Sequence, residues 1–195
     1  MSAAPRAFPV AAVILGAGAG TRFGEPKAGA TLPDGRRFVD AVAATARDAG
    51  CEPVVAVLPP GMPAPAHMVA VVNADARGEQ VASLRAGLMR LANTPCIGAF
   101  VWPVDHPFVT LESVLAVLDG ARRTDASIVL PQCGERRGHP AYFARDTWRE
   151  LLTVSDGGAR AVIAQRATRP GAVVHIPVDD RGVLRDIDTR QDLAD

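Results

Sequence analysis

Val13-Ile14-Leu15-Gly16-Ala17-Gly18-Ala19-Gly20-Thr21-Arg22-Phe23-Gly24-Glu25-Pro26-Lys27 is the stretch whose reading decides the fold. The apolar run Val10–Leu15 reads as a strand buried on both faces. It stops at a glycine-rich loop that ends in two cations, Arg22 and Lys27. Glycines let backbone N–H groups approach an anion without interference from a Cβ, and the cations supply countercharge for phosphates. The loop fits neither of the two commonest nucleotide fingerprints. A Walker loop ends in Gly-Lys-Ser/Thr, whereas Gly20 is followed by Thr21-Arg22. A dinucleotide loop runs Gly-x-Gly-x-x-Gly straight into a helix, but its last position falls on Thr21 when counted from Gly16 and on Phe23 when counted from Gly18. Pro26 argues against an immediate uninterrupted helix.

Outward from this loop, strand-like and helix-like runs alternate. Strands are expected at Val10–Leu15, Val54–Leu58, Val69–Val72, Ile97–Trp102, Ser127–Leu130, Ala141–Phe143 and Val173–Ile176. Helices are expected at Phe38–Asp48, Gly78–Leu91, Leu111–Arg122 with Thr110 as cap, Trp148–Leu152 and Ala159–Gln165. Thr189 is expected to begin a C-terminal helix, with Asp192 closing a capping box. This order predicts an α/β fold with a doubly wound, mostly parallel sheet covered on both faces. In such sheets ligands bind beyond the carboxyl ends of the strands.

With 195 residues, 48% of them hydrophobic and 22% charged, the chain reads as one globular domain spanning residues 1–195. Lys plus Arg and Asp plus Glu number 21 each, so no general charge excess draws the chain to nucleic acid or to an anionic membrane. A phosphate site must therefore be local. Cys51, Cys96 and Cys133 lack metal-ligand spacing, and their odd number argues against a disulfide framework, so a reducing cytoplasm is the expected setting. No apolar run approaches membrane-spanning length.

Asp105 follows an apolar strand in Pro103-Val104-Asp105-His106-Pro107. A carboxylate at a strand end beside a phosphate loop suits a magnesium ion shared with triphosphate oxygens. His106 is read as an exposed rim residue. In Arg185-Asp186-Ile187-Asp188-Thr189, alternation turns Asp186 and Asp188 to one face and Ile187 to the other. A second basic segment, Arg136-Arg137-Gly138-His139-Pro140, offers groups for a phosphate or a heterocycle edge.

Leu15, Ala17, Gly18, Gly20, Arg22, Gly24, Pro26 and Lys27 together resemble the nucleoside-triphosphate transferase signature Leu-x-Ala-Gly-x-Gly-x-Arg-x-Gly-x-Pro-Lys. Gly16 stands where the family usually has alanine. Three further segments resemble the molybdenum-cofactor nucleotidyltransferases of the MobA-like family: Gly78 to Leu88 with Ser83, Arg137-Gly138-His139-Pro140, and Asp186-Ile187-Asp188-Thr189. Ser155-Asp156-Gly157-Gly158 departs from that subgroup's usual order ahead of Ala159-Arg160. The resemblance implies a Rossmann-like fold of the nucleotide-diphospho-sugar transferase type and a magnesium-dependent transfer of a nucleotide, with release of pyrophosphate. It implies catalytic roles for Arg22, Lys27 and Asp105, and metal contacts from Asp105 and Asp188, with Asp186 as the alternative to Asp188. Nucleotide contacts would come from Leu15, Gly16, Ala17, Gly18, Gly20, Thr21, Arg22, Lys27, Gly78 and Ser83. Acceptor contacts would come from Arg137, Gly138, His139 and Pro140. Ala17 resembles the cytidylyl form of the loop, which tilts the base towards CTP. The implied acceptor is molybdopterin, and a molybdoenzyme or cofactor-insertion protein is the implied partner. Another small phosphorylated acceptor (a sugar phosphate or a phospholactate-like acid) and a non-catalytic cofactor-binding chaperone remain the alternatives.

Overall fold

The computed structural model describes residues 8–18, 20, 23–73 and 80–193. Among these described residues eight strands form one sheet: β1 Val10–Leu15, β2 Val54–Leu58, β3 Val69–Val72, β4 Gly98–Pro103, β5 Ile128–Cys133, β6 Arg136–Arg137, β7 Ala141–Ala144 and β8 Val173–Pro177. Five α-helices accompany them there: α1 Phe38–Asp48, α2 Gln80–Arg90, α3 Leu111–Arg123, α4 Trp148–Thr153 and α5 Gly158–Arg166. The strand order is β3-β2-β1-β4-β7-β5-β6, with β8 pairing β5. β1 is flanked by β2 and β4, both parallel to it, whereas β7 lies antiparallel between β4 and β5. The sheet is thus mixed but mostly parallel, as the alternation of elements predicts.

Residue alternation along the central strands builds two cores. Val10, Ala12 and Ile14 face one side with Phe100 and Trp102, and there α1 and α3 cover the sheet through Phe38, Val39, Val42, Val114 and Val117. Ala11, Val13 and Leu15 face the other side with Val55 and Val57, covered by Leu84 and Leu88 of α2, Trp148 and Leu151 of α4 and Val162 of α5. The first turn of α1 carries acidic Asp40 and its last turn basic Arg47, both favourable to its dipole. Helix α3 is capped as expected, the Thr110 hydroxyl accepting from the Ser113 N–H.

Several elements depart from expectation. The extended run starting at residue 128 reaches Cys133 and turns at Gly134 (φ +60°) into the short β6, too brief to show a pattern in sequence. The C-terminal helix is replaced by a 3-10 turn over Gln191–Leu193. One of the two capping bonds forms nonetheless, the Asp192 carboxylate accepting from the Thr189 N–H at 2.6 Å. Of the expected Gly78–Leu91 helix, Gly78 and Glu79 lie outside the described residues.

Gly87 explains how closely α2 approaches the sheet: a Cβ there would collide with Val13 Cγ1 and would come within 3.2 Å of Val57 Cγ2. In an exposed helix, Gly→Ala stabilises by about 1 kcal/mol, but overpacking a core costs about 1–3 kcal/mol. Gly87→Ala is therefore expected to lower stability in urea unfolding, by about 1–2 kcal/mol net.

Candidate active site

The site is built where the chain leaves β1 and β4. These strands pair in register Leu15 with Pro103, and the Val104 N–H donates to the Leu15 carbonyl one step further on. Asp105 therefore emerges beside the start of the glycine loop. Past Glu25 the chain makes a single 3-10 turn, Lys27–Gly29, held down by fully buried Ala28. Its first residue brings the Lys27 ammonium against two carboxylates, donating to Asp105 Oδ2 at 3.1 Å and to Asp188 Oδ1 at 2.5 Å. The Asp188 segment is tied to the same spot by its backbone, since the Ile187 N–H donates to the Asp105 carbonyl at 2.8 Å. Ile187 is fully buried and Asp186 is exposed. Of the two candidate aspartates it is Asp188 that reaches Lys27. Asp192 secures the far side, its carboxylate accepting from the Asp188 N–H at 2.9 Å.

Burial works against charge at Lys27, but the hydrogen bonds and charges of Asp188 and Asp105 outweigh it and raise its pKa. At Asp105 burial also opposes ionisation, yet the hydrogen bond to His106 and the charge of Lys27 hold the carboxyl down at about 2. Among the described residues the cluster is thus two carboxylates around one ammonium. Among the described residues no group of three or more His, Cys, Asp or Glu side chains is placed to hold a metal. Two hard oxygen donors beside an anion-binding loop suit a magnesium-class cation, which usually takes one or two carboxylates plus phosphate oxygens and water. The donor set fits such an ion, with Lys27 holding the positive charge there in the free protein.

The glycine loop packs tightly where it leaves the sheet and opens at its tip. The Gly16 N–H donates to the Val57 carbonyl at 2.8 Å. A Cβ at Gly16 would lie 3.0 Å from Ala28 Cβ, so glycine fits here more easily than the family's usual alanine. Leu15 and Ala17 are buried, whereas Gly18 is exposed with open space around it. Gly20 has φ +59°, and its carbonyl accepts from the Phe23 and Gly24 N–H groups, closing the turn. Thr21, Arg22 and Gly78 lie outside the described residues. Ser83 is buried on α2, and its hydroxyl accepts from Asn73 Nδ2 at 3.0 Å.

The Arg137-Gly138-His139-Pro140 segment reaches the same region. Arg137 is exposed on β6. Gly138 packs against the Val183 backbone, where a Cβ would collide with the carbonyl oxygen, and the His139 N–H donates to that carbonyl at 2.8 Å. Pro140 is buried, and the His139–Pro140 peptide bond is cis. The His139 ring meets the His106 ring edge to face, centroids 4.7 Å apart. Burial first, and then the positive side of His106, push His139 down to about 4. Its Nδ1 is buried with no partner among the described residues.

His106 corrects the sequence reading. It is 8% exposed rather than on the rim, and its Nδ1 lies 3.1 Å from Asp105 Oδ1. Sequence also missed Asp180, a buried carboxylate that accepts from the Thr110 N–H and hydroxyl, the Ser113 hydroxyl and the Gly182 N–H. It ties the turn carrying Val183 to the start of α3. The available signal was Asp180-Arg181-Gly182, the spacing of an Asx turn.

Residues 12–170 match the MobA-like NTP transferase domain family. A relative from Mycobacterium tuberculosis strain H37Rv, named probable molybdenum cofactor guanylyltransferase, is 30% identical over 162 residues, covering 83% of this chain and 81% of its own. The crystal structure of Rv0371c from Mycobacterium tuberculosis H37Rv superposes with TM-score 0.80 at 26% identity, over 97% of each chain. Rv0371C in complex with manganese superposes with TM-score 0.74 at 24% identity, over 95% of this chain and 96% of that one.

The lowered His139 pKa has a stability consequence. The unfolded chain takes up a proton near pH 6.5, whereas folded His139 resists until about 4. The contribution is therefore complete above 6.5 and is lost as pH falls through the folded value. Substituting His139→Asn is expected to flatten the stability curve across that window in urea titrations, and imidazole NMR of the wild type is expected to show a ring still neutral well below 6.5.

Proposed function

The chain belongs to the MobA-like NTP transferase family and is a nucleotidyltransferase, and on that premise we propose that it transfers a nucleotide from GTP to the phosphate of a molybdopterin-class acceptor, releasing pyrophosphate. The observation that carries this reading is the convergence of Lys27, Asp105 and Asp188 beside the glycine loop. The base and acceptor come from the names of the relatives. Ala17 by itself favoured CTP, but 30% identity over 83% of the chain outweighs one small residue.

In this reading the acceptor phosphate attacks the α-phosphorus, and pyrophosphate leaves without a covalent enzyme intermediate. Backbone N–H groups of the loop around Gly18 and Gly20 cradle the triphosphate, while the Gly16 N–H stays with the Val57 carbonyl. Asp105 and Asp188 would hold a magnesium-class cation, which would supply charge neutralisation at the phosphates. Support for a metal comes from the donor set and from the manganese complex of the structural relative. Lys27 exchanges its carboxylate partners for triphosphate oxygens, which keeps the site's charge balanced as nucleotide enters. Arg22, with Thr21, adds countercharge and hydrogen bonds from the loop, while Gly78 and Ser83 line the nucleoside side. Arg137, Gly138, His139 and Pro140 receive the acceptor. The His139 nitrogen Nδ1 is an unused polar contact for it. Catalysis then rests on positioning and charge stabilisation rather than on a nucleophilic side chain.

Pyrophosphate release is measured with GTP, CTP, ATP and UTP in turn, with magnesium or manganese, with and without molybdopterin. The expected result is release that needs molybdopterin and is fastest with GTP. Fastest release with CTP would overturn the base, and release from a different phosphorylated acceptor would overturn the acceptor. Asp105→Ala and Lys27→Ala are each expected to lower kcat by about 10²–10³ while the protein still unfolds cooperatively. A folded variant with wild-type turnover would remove that residue from the mechanism.

A further inference from the structure

Nothing in the reaction above requires a histidine after Asp105, yet His106 is buried and bonded on several sides. Its backbone is fixed at both ends: the N–H donates to the Pro103 carbonyl at 3.2 Å, and its own carbonyl accepts from Trp102 Nε1 at 3.1 Å. The ring cannot turn freely, because the His139 ring lies edge-on against it at 4.7 Å. His139 is itself held by the Val183 carbonyl. The ring's Nδ1 is directed at Asp105 Oδ1, at 3.1 Å. An ionised carboxylate can only accept, so Nδ1 is the donor in this bond. The effect is to separate the two carboxylate oxygens. Oδ1 is engaged by His106, and Oδ2 is the oxygen presented to Lys27.

We propose that His106 is a positioning residue: its Nδ1–H locks the Asp105 carboxylate so that Oδ2 faces the cation site, with the His139 ring as the backstop. A carboxylate at the end of a strand has two torsions free to relax. A hydrogen bond to one oxygen, from a ring that packing holds still, fixes the direction of the other. Partners of this kind are worth about 10–100-fold in metal affinity. The inference rests on the reading of Asp105 as a cation ligand. It adds a physical link between the segment assigned to the acceptor and the carboxylate assigned to the metal.

The test is Mn²⁺ titration of the full chain, followed by electron paramagnetic resonance, on the wild type, His106→Phe, His106→Asn and the control Asp105→Asn, with thermal unfolding of each. His106→Phe keeps a buried ring against His139 but has no donor, and is expected to bind Mn²⁺ about 10–100-fold more weakly while unfolding close to the wild-type temperature. His106→Asn places an amide N–H near the lost Nδ1 and is expected to return affinity to within about threefold of wild type. Wild-type affinity in His106→Phe would overturn the proposal, and so would equal losses in the two variants. No saturable Mn²⁺ binding by the wild type, or binding that Asp105→Asn leaves unchanged, would overturn it together with the metal assignment. Pyrophosphate release run in parallel separates the two readings. The expected affinity pattern without turnover leaves His106 a positioning residue and removes the proposed reaction. Turnover without the pattern removes the His106 role alone.

Discussion

One ammonium shared by two carboxylates organises this end of the molecule. Lys27, Asp105 and Asp188 come from the first loop, from just past the end of β4 and from the segment ahead of the Gln191–Leu193 turn, yet they meet within hydrogen-bond distance. Either carboxylate facing the other without a cation would be repelled, so the arrangement depends on a positive charge remaining at that point. In the free protein Lys27 supplies it. Two carboxylates beside a glycine-rich loop are also a donor set that suits a divalent ion.

The scaffold that holds the cluster is mostly backbone. β1 and β4 are adjacent and parallel, so the glycine loop and Asp105 leave the sheet side by side. The Ile187 N–H bonded to the Asp105 carbonyl then brings the last carboxylate in at a fixed height, and the buried Ile187 side chain prevents that segment from rotating. Asp180 plays the matching role one turn earlier, joining the Val183 turn to the start of α3. Val183 in turn carries the His139 segment. The His139 segment and the carboxylate pair are thus fastened to one frame, and they touch through the His139–His106 ring contact.

Much of the architecture was legible in the chain because its signals are local. The runs Val10–Leu15, Val54–Leu58 and Val69–Val72 and the helix Phe38–Asp48 form where apolar patterning places them. Thr110 caps α3 because a hydroxyl at that position has an N–H to accept from wherever the helix starts. The two-residue β6 was not legible, since its partner is chosen by the turn at Gly134 and by pairing with β5. The C-terminal segment failed as a helix although its capping side chain bonds as expected, because local capping does not supply the apolar face a helix needs to stay packed.

By itself the sequence determined the glycine-rich loop, the succession of strands and helices and the types of residue available for charge chemistry, since these depend on neighbours a few positions apart. Tertiary structure decided which of those residues meet. Lys27 lies 78 residues from Asp105 and 161 from Asp188 along the chain, distances over which no periodicity carries information. It also brought Asp188 rather than Asp186 against Lys27, through the backbone bond from Ile187 to Asp105. His106 changed from an apparent rim residue to a buried donor for the same reason. Its carbonyl is met by Trp102 and its ring by the neighbouring Asp105, and only the folded chain brings the distant His139 ring against it.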